Sequence, residues 1–458
     1  MSGTTIHLTD NCREGRSLQG EEARTALQLA HLDLLQDLPD LMVLPQPTDN
    51  RATGLADQPI LTVNRCRFAP DGQCLSLSAC TGNVMGFVGL NGTSVSIHSR
   101  FARGEKDFFL YYMLQQVLGV NVVRLLHGSN RSDQVMDFLL CLFPQRLKQA
   151  LAQGLMKAYT TVLHDDAHVR GSIDVARFIR HDVPFRGRVS TRRREQSHDH
   201  AVTQLIRHTI ECIRRHPLGP SLLNGDASTR EAVTRIIECT PSYDLRQRPQ
   251  VMAANLRPKV HPYYLNYLPL QELCLRILRH ESLRYGDEEQ QIYGILFDGS
   301  WLWEEYLHTI LRRQRFLHPD NRRGTGGLPL FATPSASARG TEAFDKNARR
   351  IFPDFYRHDW VVDAKYKRLN GCPGRDDLYQ LVSYLYGMDR PFGAFVYPDE
   401  GAYPTRTFQL AGKGLAYAPG QGGTLSVIPF HIPHDVPDWP SFVRAMKQEE
   451  AALAGRFG

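Results

Sequence analysis

The sequence predicts an α+β multidomain protein. It has a β-rich unit at the N-terminal end, a helical middle region and an α/β core at the C-terminal end. Three observations carry that expectation. Between residues 59 and 100, apolar runs are separated by Asp-Gly, Thr-Gly and Asn-Gly steps, the punctuation of tight β-hairpins. Between 165 and 290 the chain is polar and mostly of helical period. Beyond 290, helical stretches alternate with short strand-like runs, the pattern of a sheet covered by helices. The expected divisions are 1–160, 161–285 and 286–458.

Composition narrows the class. The 458 residues are 42% hydrophobic and 22% charged, which supplies ample core for an ordinary globular chain. No run approaches the ~20 apolar residues that span a bilayer, and MSGTTIHLTDNCREG has no charged-then-apolar leader pattern. A cytoplasmic protein without membrane contact is expected. The nine cysteines are scattered with no Cys-x-x-Cys pair, which argues against zinc and, in the cytosol, against disulfides. The net charge of +6 is compatible with a phosphate-rich partner.

The elements follow in order. EEARTALQLAHLDLLQDL (21–38) has helical spacing and leads into a Pro/Asn-rich connector. ILTVNRCRF, CLSLSAC, NVMGFVGL and SVSIHSRF supply the strands of the β-rich unit. DFFLYYMLQQVLG is a helix stopping at Gly119. DQVMDFLLCLFPQRLKQAL is a second apolar helix, interrupted or restarted near Pro144. The middle region carries HVRGSID and then an arginine cluster at 186, 188, 192, 193 and 194. For Arg192, Arg193 and Arg194, a solvated charged edge and a surface for DNA phosphate or an acidic partner both fit. His198 and His200 flank Asp199, with no second ligand pair to complete a metal site.

In QIYGILFDGSWLWEEYLHTILRRQRFL (291–317), Asp298 or Ser300 caps a helix. Leu302, Trp303, Tyr306, Leu307, Ile310 and Leu311 form its buried stripe. Glu304 lies at the stripe's border, while Glu305 shares a wetter face with His308 and Arg312. An acid at an apolar border needs a partner; a salt bridge and a metal shell are both open. A long Gly/Pro/Ser/Arg-rich loop (318–340) over a groove follows. DDLYQLVSYLYGM (376–388) is a helix, FGAFVYP a core strand, and TLSVIPF with a final helix closes the chain.

Between these elements lies IFPDFYRHDWVVDAKYK (351–367). Its apolar positions suggest strands over 351–356 and 360–367 with Arg-His-Asp as the turn. Strand side chains alternate, so Asp363 and Lys365 share a face, and Asp354 on the neighbouring strand can reach them. Two close carboxylates repel unless a hard divalent cation sits between them. Mg²⁺ suits that role, with Mn²⁺ as substitute, and takes carboxylate and water oxygens. Small Ala364 leaves its carbonyl accessible as a further oxygen ligand. A cation so held polarises a phosphoryl oxygen and acidifies bound water, while a lysine on the same face offsets developing charge. Asp377, Gln380 and Tyr384 fall on one face of the next helix, turned to the site or to a DNA backbone. Lys367 and Tyr384 are the expected DNA-facing pair.

Pro353-Asp354 followed by Asp363-Ala-Lys365, with Glu304 on the preceding helix and Gln380 on the next, resembles the PD-(D/E)xK restriction-endonuclease-like core. More narrowly, PDFYRHDWVVDAKYK with DDLYQLVSYLYGM resembles the McrC family of modification-dependent (5-methylcytosine) restriction nucleases. LWEEYL, with its acid at Glu304, VRGSID (169–174) and SIHSRF (96–101) before FFLYYML also match, although proline is expected where Ser99 stands. The pieces span roughly 95–400. The resemblance implies a Mg²⁺-dependent DNA endonuclease subunit. Asp354 and Asp363 hold the metal, Lys365 positions the attacking water, and Glu304 and Gln380 support them. It also implies an McrB-like AAA+ GTPase hexamer as partner, docked through the N-terminal domain, modified double-stranded DNA as substrate, and dimerisation of assembled complexes. The only Gly-Lys, at 412–413, precedes Gly414, so the chain has no phosphate-binding loop of its own and binds no nucleotide. The rivals are a stand-alone repair or phage-type nuclease and a non-catalytic activator of an AAA+ NTPase.

Overall fold

The computed structural model describes residues 5–12, 15–30, 41–45, 60–90, 93–103, 107–119, 131–169, 171–257, 261–283, 292–321, 326–330, 350–411 and 423–458. The chain forms two compact units, Met1–Arg131 with Glu289–Gly458, and Ser132–Glu288. The architecture is mixed α/β. Among the described residues no helix is long and apolar enough to cross a membrane. Most of the connector before residue 60, most of the loop over 318–340 and the Gly-Lys at 412–413 lie outside the described residues.

The first unit holds two five-stranded sheets. One runs in the order Thr5–Thr9, Thr93–His98, Val84–Leu90, Ile292–Asp298, Leu41–Leu44. Its outer pairs are parallel and its inner pairs antiparallel. The apolar run at 292 thus pairs with strands some 200 positions earlier in the chain. Gly86 permits this: a Cβ there would stand 2.1 Å from the Ile295 carbonyl oxygen, at φ +126°, so only glycine fits. A separate antiparallel sheet, Arg16–Gln19, Cys74–Thr81 and Leu61–Phe68, is covered by the Gly20–Ala30 helix. Ala23, Ala26 and Leu29 of that helix share a core with Leu61 and Leu77. Of the expected hairpin steps, Asp71-Gly72 joins two paired strands, whereas at Thr81-Gly82 the chain passes from one sheet to another, and Asn91-Gly92 lies outside the described residues.

The second five-stranded sheet has the order Phe355–Tyr356, Trp360–Ala364, Phe392–Asp399, Thr424–His431, Arg406–Gln409. Its three central strands are parallel and its edges antiparallel. Central strands buried on both faces are near-continuously apolar, as GAFVYP and LSVIPF are. Phe395 and Tyr397 pack with Leu381 and Leu385 of the Arg375–Met388 helix. On the other side, the ring of Phe430 lies 5.7 Å from that of Trp303 and 5.8 Å from that of Tyr306, on the Gly299–Leu311 helix. Asp298 caps that helix, accepting from Ser300 and Trp301. Helix Phe108–Leu118 ends at Gly119 in the left-handed region, as its sequence predicts.

The expected first strand, 351–356, is split. Arg350–Ile351 pairs with Leu328–Pro329, and Phe355–Tyr356 pairs with the Trp360–Ala364 strand. Pro353 has no N–H to give a ladder, and Asp354 sits in the bend. The second strand stops at Ala364, so Lys365 and Lys367 stand beyond its end.

In the second unit the residues around Pro144 form one continuous helix, Arg131–Leu151, not two. A helix-interior proline costs about 3 kcal/mol or more. Leu139, Leu140, Leu142, Phe143 and Leu147, each at most 4% exposed, offset that by burial. The polar stretch after 165 is not uniformly helical either. Ala158–Asp166, Val189–Ser197 and Ser172–Ile173 form an antiparallel sheet, followed by helices from Ala201–Arg215 to Tyr267–Leu283.

Candidate active site

The Trp360–Ala364 strand presents Val361 and Asp363 to the face covered by the Arg375–Met388 helix. Asp363 is 1% exposed. Lys365, just past the strand end, places Nζ 2.7 Å from Asp363 Oδ2, so the two share a face as the alternation predicts. The bend at Asp354 aims its carboxylate at the same strand, where Oδ2 accepts the Ala364 N–H at 2.8 Å. Ala364 thus spends its N–H on Asp354, while the next N–H, of Lys365, bonds the Val396 carbonyl at 3.0 Å.

The next helix completes the cluster. Lys365 Nζ donates to Gln380 Oε1 at 2.9 Å and lies 3.5 Å from Asp377 Oδ1. Gln380 Nε2 donates to the Tyr384 hydroxyl at 2.7 Å, which donates to the Phe352 carbonyl at 3.1 Å. Lys367 Nζ bonds both oxygens of Asp377, at 2.9 and 2.7 Å. Asp377, Gln380 and Tyr384 therefore act on one face, as their spacing predicts. Tyr384 is 5% exposed and braces Gln380; its burial removes it from the DNA-facing pair. Lys367 is 46% exposed at its side chain and remains at the surface.

The electrostatics are those of a crowded buried site. Burial, reinforced by the Asp363 charge, pushes Asp354 up to about 7. Burial also raises Asp363, against the pull of Lys365. Burial works to lower Lys365, but the Asp363 carboxylate that accepts its hydrogen bond more than reverses this, and the ammonium persists. Asp377 falls below the usual carboxylate range: the lysines beside it outweigh its desolvation. Two acids that resist ionisation beside one ammonium form a site short of positive charge.

Among the described residues, no group of three or more His, Cys, Asp or Glu side chains is arranged to hold a metal. Glu304 therefore does not join Asp354 and Asp363 in a three-acid cage; it is half-buried on the Gly299–Leu311 helix. Its neighbour Glu305 reaches towards the bend instead. Glu305 Oε1 lies 3.8 Å from His318 Nε2, and His318 Nδ1 lies 2.7 Å from the Asp354 carbonyl oxygen. The His318 ring stacks on Phe355, with centroids 4.6 Å apart. Asn321 Nδ2 donates to the Pro353 carbonyl at 2.9 Å. Sequence reasoning missed His318 and Asn321. Each is a single polar residue with no periodic or motif signal, and each acts on backbone some 30 positions away.

Arg192, Arg193 and Arg194 lie on the Val189–Ser197 strand of the second unit, all exposed. Arg193 Nε is 3.5 Å from Glu195 Oε1, and the Arg194 guanidinium lies 5.5 Å from the Tyr159 ring centroid. His198 and His200 each place a ring nitrogen 3.1 Å from the Met156 carbonyl oxygen. His200 also caps the Ala201–Arg215 helix.

Residues 79–398 match the model of the family described as McrBC 5-methylcytosine restriction system component. No curated protein matches this chain. Among solved structures, the chain is similar to one described as a half-complex from a tetradecameric assembly of Thermococcus gammatolerans McrB AAA+ hexamers with bound McrC. There the identity is 15%, with 99% of this chain and 100% of that chain covered and a TM-score of 0.49. A second, the cryo-EM structure of the Thermococcus gammatolerans McrBC complex, gives 14% identity, 68% and 88% coverage and a TM-score of 0.31. The family match extends over well more than half of the sequence, and the chain belongs to the McrBC 5-methylcytosine restriction system component family.

Proposed function

We propose that this chain is the metal-dependent DNA endonuclease subunit of a modification-dependent restriction complex, built on a PD-(D/E)xK core and driven by an McrB-type AAA+ GTPase. The observation that carries the reading is the buried pair Asp354 and Asp363 with Lys365 beside it. The donor set suits Mg²⁺, which binds through one or two carboxylates and keeps several waters. Asp354 and Asp363 both resist ionisation without a counter-cation. They would hold the ion, with the Ala364 carbonyl as a further oxygen. When bound, Mg²⁺ would supply Lewis-acid polarisation of a phosphodiester oxygen and a more acidic water.

The remaining steps belong to the chain's own side chains. Lys365 orients the attacking water and offsets negative charge growing on the phosphate. Gln380 holds the lysine, Tyr384 holds Gln380, and Asp377 holds Lys367 at the rim. Glu304 would stand behind the acid pair on the neighbouring helix rather than ligate the ion. The docked segment is the N-terminal β-rich unit, and the need for a motor follows from membership in a multicomponent restriction family and from the missing phosphate-binding loop.

The test is plasmid cleavage with Mg²⁺, on methylated and unmodified DNA. It compares the chain alone with the chain plus its AAA+ partner and GTP. Cutting of methylated DNA in the full mixture only, lost in Lys365→Ala, is the expected result. Cutting by the chain alone would make it a stand-alone nuclease. Stimulated GTP hydrolysis without cutting would leave only an activator.

A further inference from the structure

The segment SIHSRF holds two residues that the proposed chemistry does not use, Ser99 and Arg100. Both are built into a buried polar junction. Asp10 is 1% exposed and Ser99 1%, and the Arg100 side chain is 9% exposed. Arg100 Nε donates to Asp10 Oδ2 at 2.9 Å and Nη2 to the same oxygen at 2.5 Å. Nη2 also donates to Asn83 Oδ1, and Nη1 donates to the Tyr366 carbonyl at 3.2 Å. The guanidinium lies 4.7 Å from the Tyr366 ring centroid. Ser99 Oγ and the Tyr366 hydroxyl are 2.8 Å apart. The proline expected at position 99 could not make that bond.

Tyr366 directly follows Lys365 and is 5% exposed. It is gripped on every side. A Cβ on Gly299 would stand 2.7 Å from its ring, and Phe101 meets it edge-on at 5.3 Å. Asn83 extends the junction to Ser300 Oγ at 2.6 Å and Asp298 Oδ1 at 3.3 Å, the start of the helix that carries Glu304. Arg368 Nη2 returns to the Arg100 carbonyl at 2.7 Å. The backbone on one side of Lys365 is thus set by the strand ladder, and on the other by side chains of the N-terminal sheet.

We infer that Arg100 is a positioning residue for the nuclease centre, acting through the Tyr366 carbonyl and ring to set where the Lys365 ammonium stands. The inference rests on the nuclease reading proposed above. Arginine is required because one planar fork serves Asp10, Asn83 and the Tyr366 carbonyl at once, whereas a lysine ammonium is a point charge. A reactive group displaced by about 1 Å costs on the order of 10²-fold in rate. The N-terminal sheet is thereby a structural part of the catalytic apparatus, and whatever shifts Asp10 or Asn83 shifts Lys365.

Arg100→Lys keeps a cation against Asp10 while losing the fork. In the full complex it lowers kcat about 10- to 100-fold and leaves KM for DNA within about twofold. The second readout needs no cleavage: calorimetric Mn²⁺ binding to the full chain. Lys365 competes for Asp363, so Arg100→Lys tightens Mn²⁺ by about threefold or more, and by less than about twofold when combined with Lys365→Ala. An equal change in both backgrounds would show a general structural role and overturn the inference, as would an unchanged kcat. Should Arg100→Lys fail to fold, Asn83→Ala releases one arm of the Arg100 fork and lowers kcat by about threefold at constant KM; wild-type kcat there overturns the inference as well. Cleavage that survives Lys365→Ala would sink the nuclease reading itself. Loss in Lys365→Ala with none in Arg100→Lys would sink this inference alone.

Discussion

Two strands of this protein place charge in opposite surroundings. Val189–Ser197 displays Arg192, Arg193 and Arg194 to water, with Arg193 55% exposed at its side chain. Beside them on the paired strand, Tyr159 is 63% and Leu163 51% exposed. Trp360–Ala364 hides its charge: the Asp363 side chain is 2% exposed and Lys365, just beyond, 16%. An exposed ion pair contributes roughly 0–1 kcal/mol, so the arginine strand tolerates its charges at little cost and needs no fixed geometry. A buried carboxylate is expensive unless paired. The chain tolerates two of them, with one ammonium, around the end of the Trp360–Ala364 strand. Burial, more than charge count, distinguishes a site from a decorated surface.

The largest effects should come from the buried cluster. Asp363→Asn should abolish methylated-plasmid cleavage, on the order of 10³-fold or more, if it removes a ligand of the proposed catalytic ion. Lys365→Ala costs on the order of 10²- to 10³-fold, the scale for one preorganised electrostatic group. A fully active Asp363→Asn protein would erase the contrast between the two strands.

The same burial predicts that, in the metal-free protein, losing the Asp354 carboxylate stabilises the fold. Asp354 is held well above its unfolded value by burial and by Asp363. A raised carboxyl favours the folded state below the unfolded pKa near 4, and that contribution is lost as pH rises through the folded value near 7. Asp354→Asn removes the titration and keeps an oxygen for the Ala364 N–H. In EDTA it should therefore melt higher than wild type at pH 8, by roughly 2–4 °C for each kcal/mol relieved, and no higher at pH 4. A variant that melts lower at pH 8 would mean that the carboxylate is a structural ion pair.

The bracing residues rank below these. Gln380→Ala frees Lys365 from one of its partners and should lower kcat about tenfold, with KM for DNA unchanged. Tyr384→Phe cuts the outer link to the Phe352 carbonyl and should cost about threefold. Similar losses from Glu304→Gln and Glu305→Gln would mean that the Gly299–Leu311 helix serves the site through both acids. A loss confined to Glu305→Gln would assign that role to the His318 contact.

Much of this site was legible in the sequence because its signals are local. Asp363 and Lys365 are two apart, on an alternating strand and just past its end, and Asp377, Gln380 and Tyr384 are spaced for one helical face. Hairpin glycines and the Gly119 stop likewise act within a few residues. The expectation faltered where the determining partner is far along the chain. Arg100 finds Tyr366 across 266 positions, and Ile292–Asp298 enters a sheet of N-terminal strands through a close approach at Gly86. The arginine strand was misread for a different reason. With charge on both its faces it offers no apolar alternation, and only its pairing with Ala158–Asp166 makes it a strand. Pro144 misled because burial of its neighbours outweighs its own cost.

The smallest stability effect belongs to that arginine strand, and it sharpens the comparison. Arg192 and Arg194 pair with Leu163 and Thr161 on one face of the sheet. Replacing both by serine should change the unfolding free energy by no more than about 0.5 kcal/mol each, as for surface positions generally. If the stripe contacts DNA phosphate, each lost contact lowers the slope of log K against log salt by about 0.9, so the double variant should bind with a slope shallower by roughly 2. The buried cluster cannot mimic this result, because Asp363→Asn should alter cleavage and leave the salt slope in place. An unchanged slope with weaker stimulation of the AAA+ partner's GTP hydrolysis would move the stripe from DNA to protein. The exposed Tyr159 and Leu163 beside the arginines supply the apolar contact that such a protein interface requires.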